Sequence, residues 1–212
     1  MDKILNIKNI LNNFTQEDFD KNLVDLHIHT TFSDGLADYN QVIESAKNRN
    51  CKLISITDHN SCNVHNLIND EILLVGAEFD CWFKGVFIHL LAYGFDTKNK
   101  NLQKFFAKNK SETCNDMLRL FANRNVKDLI TAIHDAGGIA VLAHPACYWA
   151  INLDNFVQKL INIGLDGIEV YYKYSRFRRI IKFHDESEVR KIAQKYPQLI
   201  KTGGSDFHDL RY

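Results

Sequence analysis

The sequence predicts a single α/β domain folded as a closed or nearly closed seven-stranded β/α barrel. Three observations carry that expectation. Short apolar, β-rich runs alternate with amphipathic helical stretches, which implies parallel strands joined by right-handed crossovers. No linker, repeat or low-complexity tract divides the 212 residues, a length that supports one large core and would cramp two. Histidines and carboxylates recur just past the apolar runs, where the strands of a barrel meet at one mouth.

The elements follow in order. Residues 1–23 read as a helical extension of one or two short helices, with Thr15 and Asp18 of "FTQED" placed as a capping box. The domain proper spans 24–212. Strands are expected at 24–29 "VDLHIH", 52–57 "KLISIT", 72–77 "ILLVGA", 86–93 "VFIHLLAY", 139–143 "IAVLA", 167–171 "GIEVY" and 199–202 "LIKT". Helices fill the gaps at "YNQVIESAKNRN", over a short helical insertion at 97–136, and at "LDNFVQKLINIG" and "SEVRKIAQKY". "AEFDCWFKGVFIHLLAY" joins two strands through "FKG" without a helix, so that pair is expected to be an antiparallel hairpin.

Composition narrows the class. The 26 basic and 26 acidic residues cancel, which argues against a polyanion-coating protein and a duplex nucleic-acid partner. The apolar run "VFIHLLAYGF" is too short for a bilayer and contains a histidine, so no membrane association is expected. Asp2, Lys3 and Lys8 interrupt any secretory apolar segment. Five scattered cysteines with no C-x-x-C pair fit reduced, packing thiols, and together these features predict a cytoplasmic protein.

The polar residues at the strand ends carry the chemistry. In "VDLHIH" alternation puts Asp25, His27 and His29 on one face, so two imidazoles converge. His27, His29 and Asp34 follow the first strand, Asp58 and His59 the second, Glu78 the third, His144 the fifth, and Asp206 and His208 the seventh. Neutral imidazoles and carboxylates gathered at one mouth are the donors that divalent cations require, and with Asp58 set aside the eight candidate ligands exceed the needs of one ion. His89, inside an apolar strand, reads by position more as a hydrogen-bonded core residue than as a ligand. His65, His134 and His184 have no evident partners and are expected at the surface.

"DLHIHTTFSDG", "ITDHN", "GAE", "LAHP" and "GGSDFH", in this order over residues 24–208, resemble the motifs of the PHP (polymerase and histidinol phosphatase) family, closest to its small stand-alone phosphoesterases of nucleotides and short RNA. The resemblance implies a distorted seven-stranded β/α barrel holding three divalent metals, of zinc, manganese or iron type. It implies His27, His29, Glu78 and Asp206 on the first metal, Glu78, His89 and His144 on the second, and Asp34, His59 and His208 on the third. Relatives of this kind carry a longer capping insertion, so a more open site is expected here.

The expected reaction is hydrolysis of a phosphomonoester of nucleotide, 3′,5′-nucleoside bisphosphate or short-RNA type by a metal-bound hydroxide, without a covalent enzyme intermediate. Three divalent ions against three carboxylates leave a positive site matched to a phosphate dianion. Asp58 and Glu169 are placed to orient imidazole N–H groups. In "YYKYSRFRRIIK", Lys173, Arg176 and Arg178 are candidates for holding substrate phosphate, Arg176 with a catalytic part, against a plain solvated face. The rival readings are a histidinol-phosphate phosphatase, an amidohydrolase-like hydrolase and a non-catalytic metal-binding module.

Overall fold

Val24–Ile28 (β1) is buried at all five positions, as a parallel strand covered on both faces must be. The structure, a computed structural model, describes residues 3–172, 184–210 and 212. β1 pairs in parallel with Leu53–Ile56 (β2). Gly76–Phe83 (β3), Val86–Tyr93 (β4), Ile139–Leu142 (β5), Gly167–Tyr172 (β6) and Ile200–Gly204 (β7) form a second sheet in sequence order. Within it β3/β4 and β4/β5 are antiparallel and β5/β6/β7 parallel. The β3/β4 hairpin turns at Lys84 and Gly85, both at positive φ, as the helix-free connection requires.

Two expectations are corrected. The seven strands form two sheets rather than one closed barrel. Among the described residues the seams are crossed by the isolated bridges Ile28–Phe207, Ile54–Leu73 and His59–Glu78, because the chain leaves extended backbone there: Asn60 and Asp206 have φ of 51° and 52°. The third strand runs from Gly76 rather than over 72–77, since the apolar "ILLV" reaches β2 through the single Leu73 bridge.

The helices fall near the expected positions, at Tyr39–Asn48, Leu153–Ile161 and Glu186–Lys195. The stretch 97–136 breaks into Lys100–Gln103, Ser111–Cys114, Asp116–Leu120 and Val126–Asp135. Asn99, Asn115 and Asn125 each accept from backbone N–H groups of the following turn, and such caps start a new helix instead of continuing one. At the N-terminus, Lys3–Asn12 and Gln16–Asp20 form two short helices, and Asp18 accepts from the Thr15 backbone at 2.8 Å.

Burial on both faces of β4 organises the core. Ile88, Leu90 and Ala92 face one cluster, which includes Leu129, Ile133, Leu153, Val157 and Ile192 from the helices. Leu91 and Tyr93 face the other, with Ile7, Leu11 and Phe19 of the N-terminal helices and Leu26 of β1. Each buried leucine contributes about 1.5–3 kcal/mol through removal of apolar surface from water. That double-sided packing holds the ends of β1, β3, β4, β5 and β7 in fixed register around the polar cluster. None of the described helices is long and apolar enough to cross a membrane.

Candidate metal centre

Glu78, third in β3, occupies the middle of the cluster. Its Oε2 lies 3.3 Å from His27 Nε2, 3.2 Å from His29 Nε2 and 3.3 Å from His59 Nδ1. Its Oε1 lies 3.0 Å from His89 Nδ1 and 3.3 Å from His144 Nε2. Asp206 Oδ1 is 3.5 Å from His27 Nε2 and 3.3 Å from His29 Nε2. Asp34 Oδ1 is 3.5 Å from His29 Nδ1 and 3.4 Å from His208 Nε2, and Asp34 Oδ2 is 3.6 Å from His59 Nε2. All nine residues expected as ligands are therefore brought to one place, His89 among them.

Close local packing sets these positions. A Cβ on Gly204 would sit 2.3 Å from the Cβ of His27, so β7 approaches β1 only because residue 204 is glycine. A Cβ on Gly35 would sit 2.5 Å from the His29 carbonyl, and the loop carrying Asp34 folds back on β1 for the same reason. His144 and Asp206 hold φ of 22° and 52°, a left-handed strain concentrated at the site.

Several buried polar atoms of the cluster stand at ligand-like separations without a hydrogen-bond partner. His27 Nε2, His29 Nε2, His59 Nδ1, His89 Nε2, Asp34 Oδ1 and Asp80 Oδ1 are buried with no hydrogen-bond partner. Each such group costs about 1–3 kcal/mol if nothing satisfies it. Nitrogen and oxygen ligands at about 2.0–2.2 Å around a tetrahedral ion stand roughly 3.3 Å apart, the separation seen here. Five overlapping groups have this character: His29/Asp34/His59/His208, His27/His144/Asp206, His27/His29/Glu78, His59/Asp80/His89 and Glu78/His89/His144. The residues fit divalent cations.

Electrostatics follows the same geometry. Burial is the largest influence on Glu78 and Asp206 and raises both pKa values, yet the surrounding imidazoles outweigh it and hold both carboxylates well below the ordinary range. Burial pulls His29 and His144 down, yet Asp206 and Glu78 push His29 up to about 9, and a hydrogen bond with Cys147 together with Glu78 and Asp206 pushes His144 up to about 10. For His59 burial prevails, and its pKa is lowered. Cations binding here displace protons from such imidazoles.

Two carboxylates next to the cluster divide the supporting work. Glu169 Oε1 is hydrogen-bonded to His27 Nδ1 at 3.1 Å while Oε2 accepts from the His144 backbone at 2.7 Å. Asp58 touches no imidazole among its hydrogen bonds; it accepts from Thr30 N and Oγ1, both at 2.8 Å, and from Ser33 Oγ at 2.7 Å. It thus clamps the loop that presents Asp34. Lys173, Arg176 and Arg178 lie outside the described residues.

Half-buried His65 and His134 and buried His184 are not the partnerless residues expected. His65 Nε2 meets the Ile56 carbonyl and Gly76 N–H, His134 Nε2 lies 2.7 Å from Asp166, and buried His184 bridges the Ala150 carbonyl and Glu188. Each satisfies backbone or carboxylate groups away from the cluster.

Two residues were missed. Asp80, fully buried, places Oδ1 3.2 Å from both His59 Nδ1 and His89 Nε2. Its signal was present: two residues past Glu78 on one strand puts it on the same face. Arg119 reaches Asp34 Oδ2 at 2.5 Å and Asp80 Oδ2 at 3.3 Å from Asp116–Leu120. Nothing local in its sequence points there. The cluster opens into a cavity of about 780 Å³ walled also by Phe87, Leu120, Tyr148 and Trp149, and Arg119 is the one Lys or Arg among its described lining residues.

Known proteins resemble this chain in sequence and fold. A phosphoribosyl 1,2-cyclic phosphate 1,2-diphosphodiesterase of Eggerthella lenta is 22% identical, covering 87% of this chain and 93% of its own. That alignment runs over 256 positions, so the relative carries inserted segments that this chain of 212 residues lacks. A structure from Bifidobacterium adolescentis, named for an inferred metal-dependent phosphoesterase activity, matches with a TM-score of 0.70 at 21% identity over 87% of each chain. An amidohydrolase of Chromobacterium violaceum, solved with sulfate and no metal, matches at 0.68 and 19% identity over 88% of this chain and 87% of that one. The PHP domain model matches residues 25–205, and the chain belongs to the PHP domain family.

Proposed function

We propose that this protein is a metal-dependent phosphoesterase that hydrolyses phosphorylated small molecules or short oligonucleotides, of nucleotide or 3′,5′-nucleoside bisphosphate type, at a centre of three divalent cations. The observation that carries this reading is the set of overlapping donor groups around Glu78, among which His27 Nε2, His29 Nε2 and Asp34 Oδ1 are buried without hydrogen-bond partners. His27, His29, Glu78 and Asp206 would hold one ion, Glu78, His89 and His144 a second, and Asp34, His59 and His208 a third, so Glu78 would serve two of them. Bound divalent cations supply Lewis acidity and lower the pKa of water at neutral pH.

The chain's own groups set the charge and the fit. Asp34, Glu78, Asp80 and Asp206 offset four of the six charges of three such cations, and Arg119 adds one back. The net positive balance suits a phosphate dianion. Arg119, fixed between Asp34 and Asp80, presents its guanidinium to the cavity, where planar donors bind phosphate oxygens. Phe87, Tyr148 and Trp149 provide apolar wall for the organic part of the substrate. The curated relative's name adds a cyclic phosphodiester of ribose to the substrates worth testing.

The test is phosphate release from p-nitrophenyl phosphate, nucleoside monophosphates, 3′,5′-bisphosphates, short RNA, a ribose cyclic phosphate and histidinol phosphate, with and without chelator. Chelator-sensitive turnover of one of the nucleotide-type esters supports the proposal. Chelator-insensitive turnover refutes the metal dependence, and turnover confined to histidinol phosphate refutes the substrate class.

A further inference from the structure

Neutral imidazole carries one lone pair and one N–H, so a histidine that gives one nitrogen to a cation must find an acceptor for the other. For His27 that acceptor is Glu169, hydrogen-bonded to Nδ1 while Nε2 faces Glu78 and Asp206. His59 and His89 pose the same demand. His59 turns Nε2 toward Asp34, and His89 turns Nδ1 toward Glu78 Oε1 and His144. Their remaining nitrogens, His59 Nδ1 and His89 Nε2, both lie 3.2 Å from one atom, Asp80 Oδ1. All three atoms are buried and none has a hydrogen-bond partner in this structure, so the 3.2 Å approach to Asp80 Oδ1 is open to both rings. Glu78 Oε2 also lies 3.3 Å from His59 Nδ1, but it faces His27 and His29 as well.

Asp80 is held for this task. Its backbone N–H donates to Asn60 Oδ1 at 3.0 Å, its Oδ2 accepts from Asn60 Nδ2, and Arg119 Nε stands 3.3 Å from Oδ2. Asn60 itself sits at a φ of 51° and donates its N–H to the Glu78 carbonyl, which ties the end of β2 to β3. One oxygen is therefore left facing the two rings.

We propose that Asp80 is a positioning residue shared by two cation sites, its Oδ1 accepting the N–H of both His59 and His89 and so fixing the tautomer in which His59 Nε2 and His89 Nδ1 face the ions. The proposal rests on the metal-centre reading above. It predicts that the ions held through His59 and His89 are coupled, because both depend on one carboxylate. The His27 group, served by Glu169, is independent of it.

The test compares wild type, Asp80→Ala and Asp80→Asn after confirming by circular dichroism and thermal melting that each metal-free protein folds. Zinc stoichiometry and affinity are measured by competition with a chromophoric chelator, and long-range proton–nitrogen NMR spectra of the zinc-loaded proteins assign the protonated nitrogen of each ring. Loss of such an orienting partner costs about 10–100-fold in metal affinity. Asp80→Ala should weaken two ions by that factor, leave the third unchanged and scramble the His59 and His89 tautomers. Asp80→Asn, which keeps an acceptor oxygen, should recover part of the affinity. Wild-type affinity and tautomers in Asp80→Ala overturn the proposal, as does loss of a single ion in Asp80→Asn, the mark of a direct ligand. A wild type that binds no zinc overturns the metal-centre reading as well.

Discussion

Replacing Glu78 by Gln keeps the shape of the side chain and removes one charge from the middle of five imidazoles, 3.0–3.3 Å from each. Two opposite unit charges about 4 Å apart at an effective dielectric of about 20 interact by roughly 4 kcal/mol, or about a thousandfold in affinity. At a free metal concentration about 1,000 times the wild-type Kd, linkage gives the native protein about 4 kcal/mol of added stability, and a variant binding a thousandfold more weakly about 0.4 kcal/mol. For a chain of this size those energies correspond to metal-induced rises in Tm of about 8–16 °C and about 1–2 °C. Differential scanning calorimetry of chelated and metal-reloaded protein reads both. A Glu78→Gln protein whose Tm rises with metal as far as the wild type refutes the placement of that carboxylate at the centre.

Other consequences concern substrate, acid stability and close packing. Arg119→Ala removes the one described Lys or Arg that lines the cavity, and with a charge-assisted hydrogen bond contributing about 1.5–3 kcal/mol, KM for a phosphorylated substrate should rise about tenfold or more in steady-state kinetics. Burial raises the pKa of Asp166, but hydrogen bonds from His134 and Lys8 overcome it and leave the carboxyl depressed. Its stabilising contribution is therefore complete above the unfolded value of about 3.9 and is lost as pH falls through the folded one. Asp166→Asn should flatten the acid limb of urea-unfolding free energy against pH; an unchanged limb contradicts this. Gly204→Ala places a methyl 2.3 Å from the Cβ of His27, and overpacking of about 1–3 kcal/mol should lower Tm by several degrees. A wild-type Tm in that variant would show that β1 and β7 are less tightly apposed.

The clustering was legible because strand ends in an alternating α/β chain converge, and His27, His29, Glu78, His144 and Asp206 each follow such a run. Asp80 was equally open to the period of two but was overshadowed by its ligand-like neighbour Glu78. Arg119 was not legible: it reaches Asp34 and Asp80 from Asp116–Leu120 through tertiary packing alone. The apolar run "ILLV" looked more like a strand than "GAEFDCWF", yet the latter pairs with β4 along its full length and buries its polar members against the site. His184 looked like a surface residue because its acceptors, the Ala150 carbonyl and Glu188, are brought to it by the fold. The antiparallel β4/β5 pairing was hidden by the long intervening connection, which suggested a parallel crossover.

The most direct measurement is anomalous diffraction from crystals of the metal-loaded protein, collected at and below the absorption edge of the bound ion. The account predicts peaks flanking the Glu78 carboxylate, with at least one at about 2.0–2.2 Å from its oxygens and from nitrogens of His27, His29, His89 or His144. Ions found only at other sites, with Glu78 hydrogen-bonded to the imidazoles and no cation beside it, would contradict it.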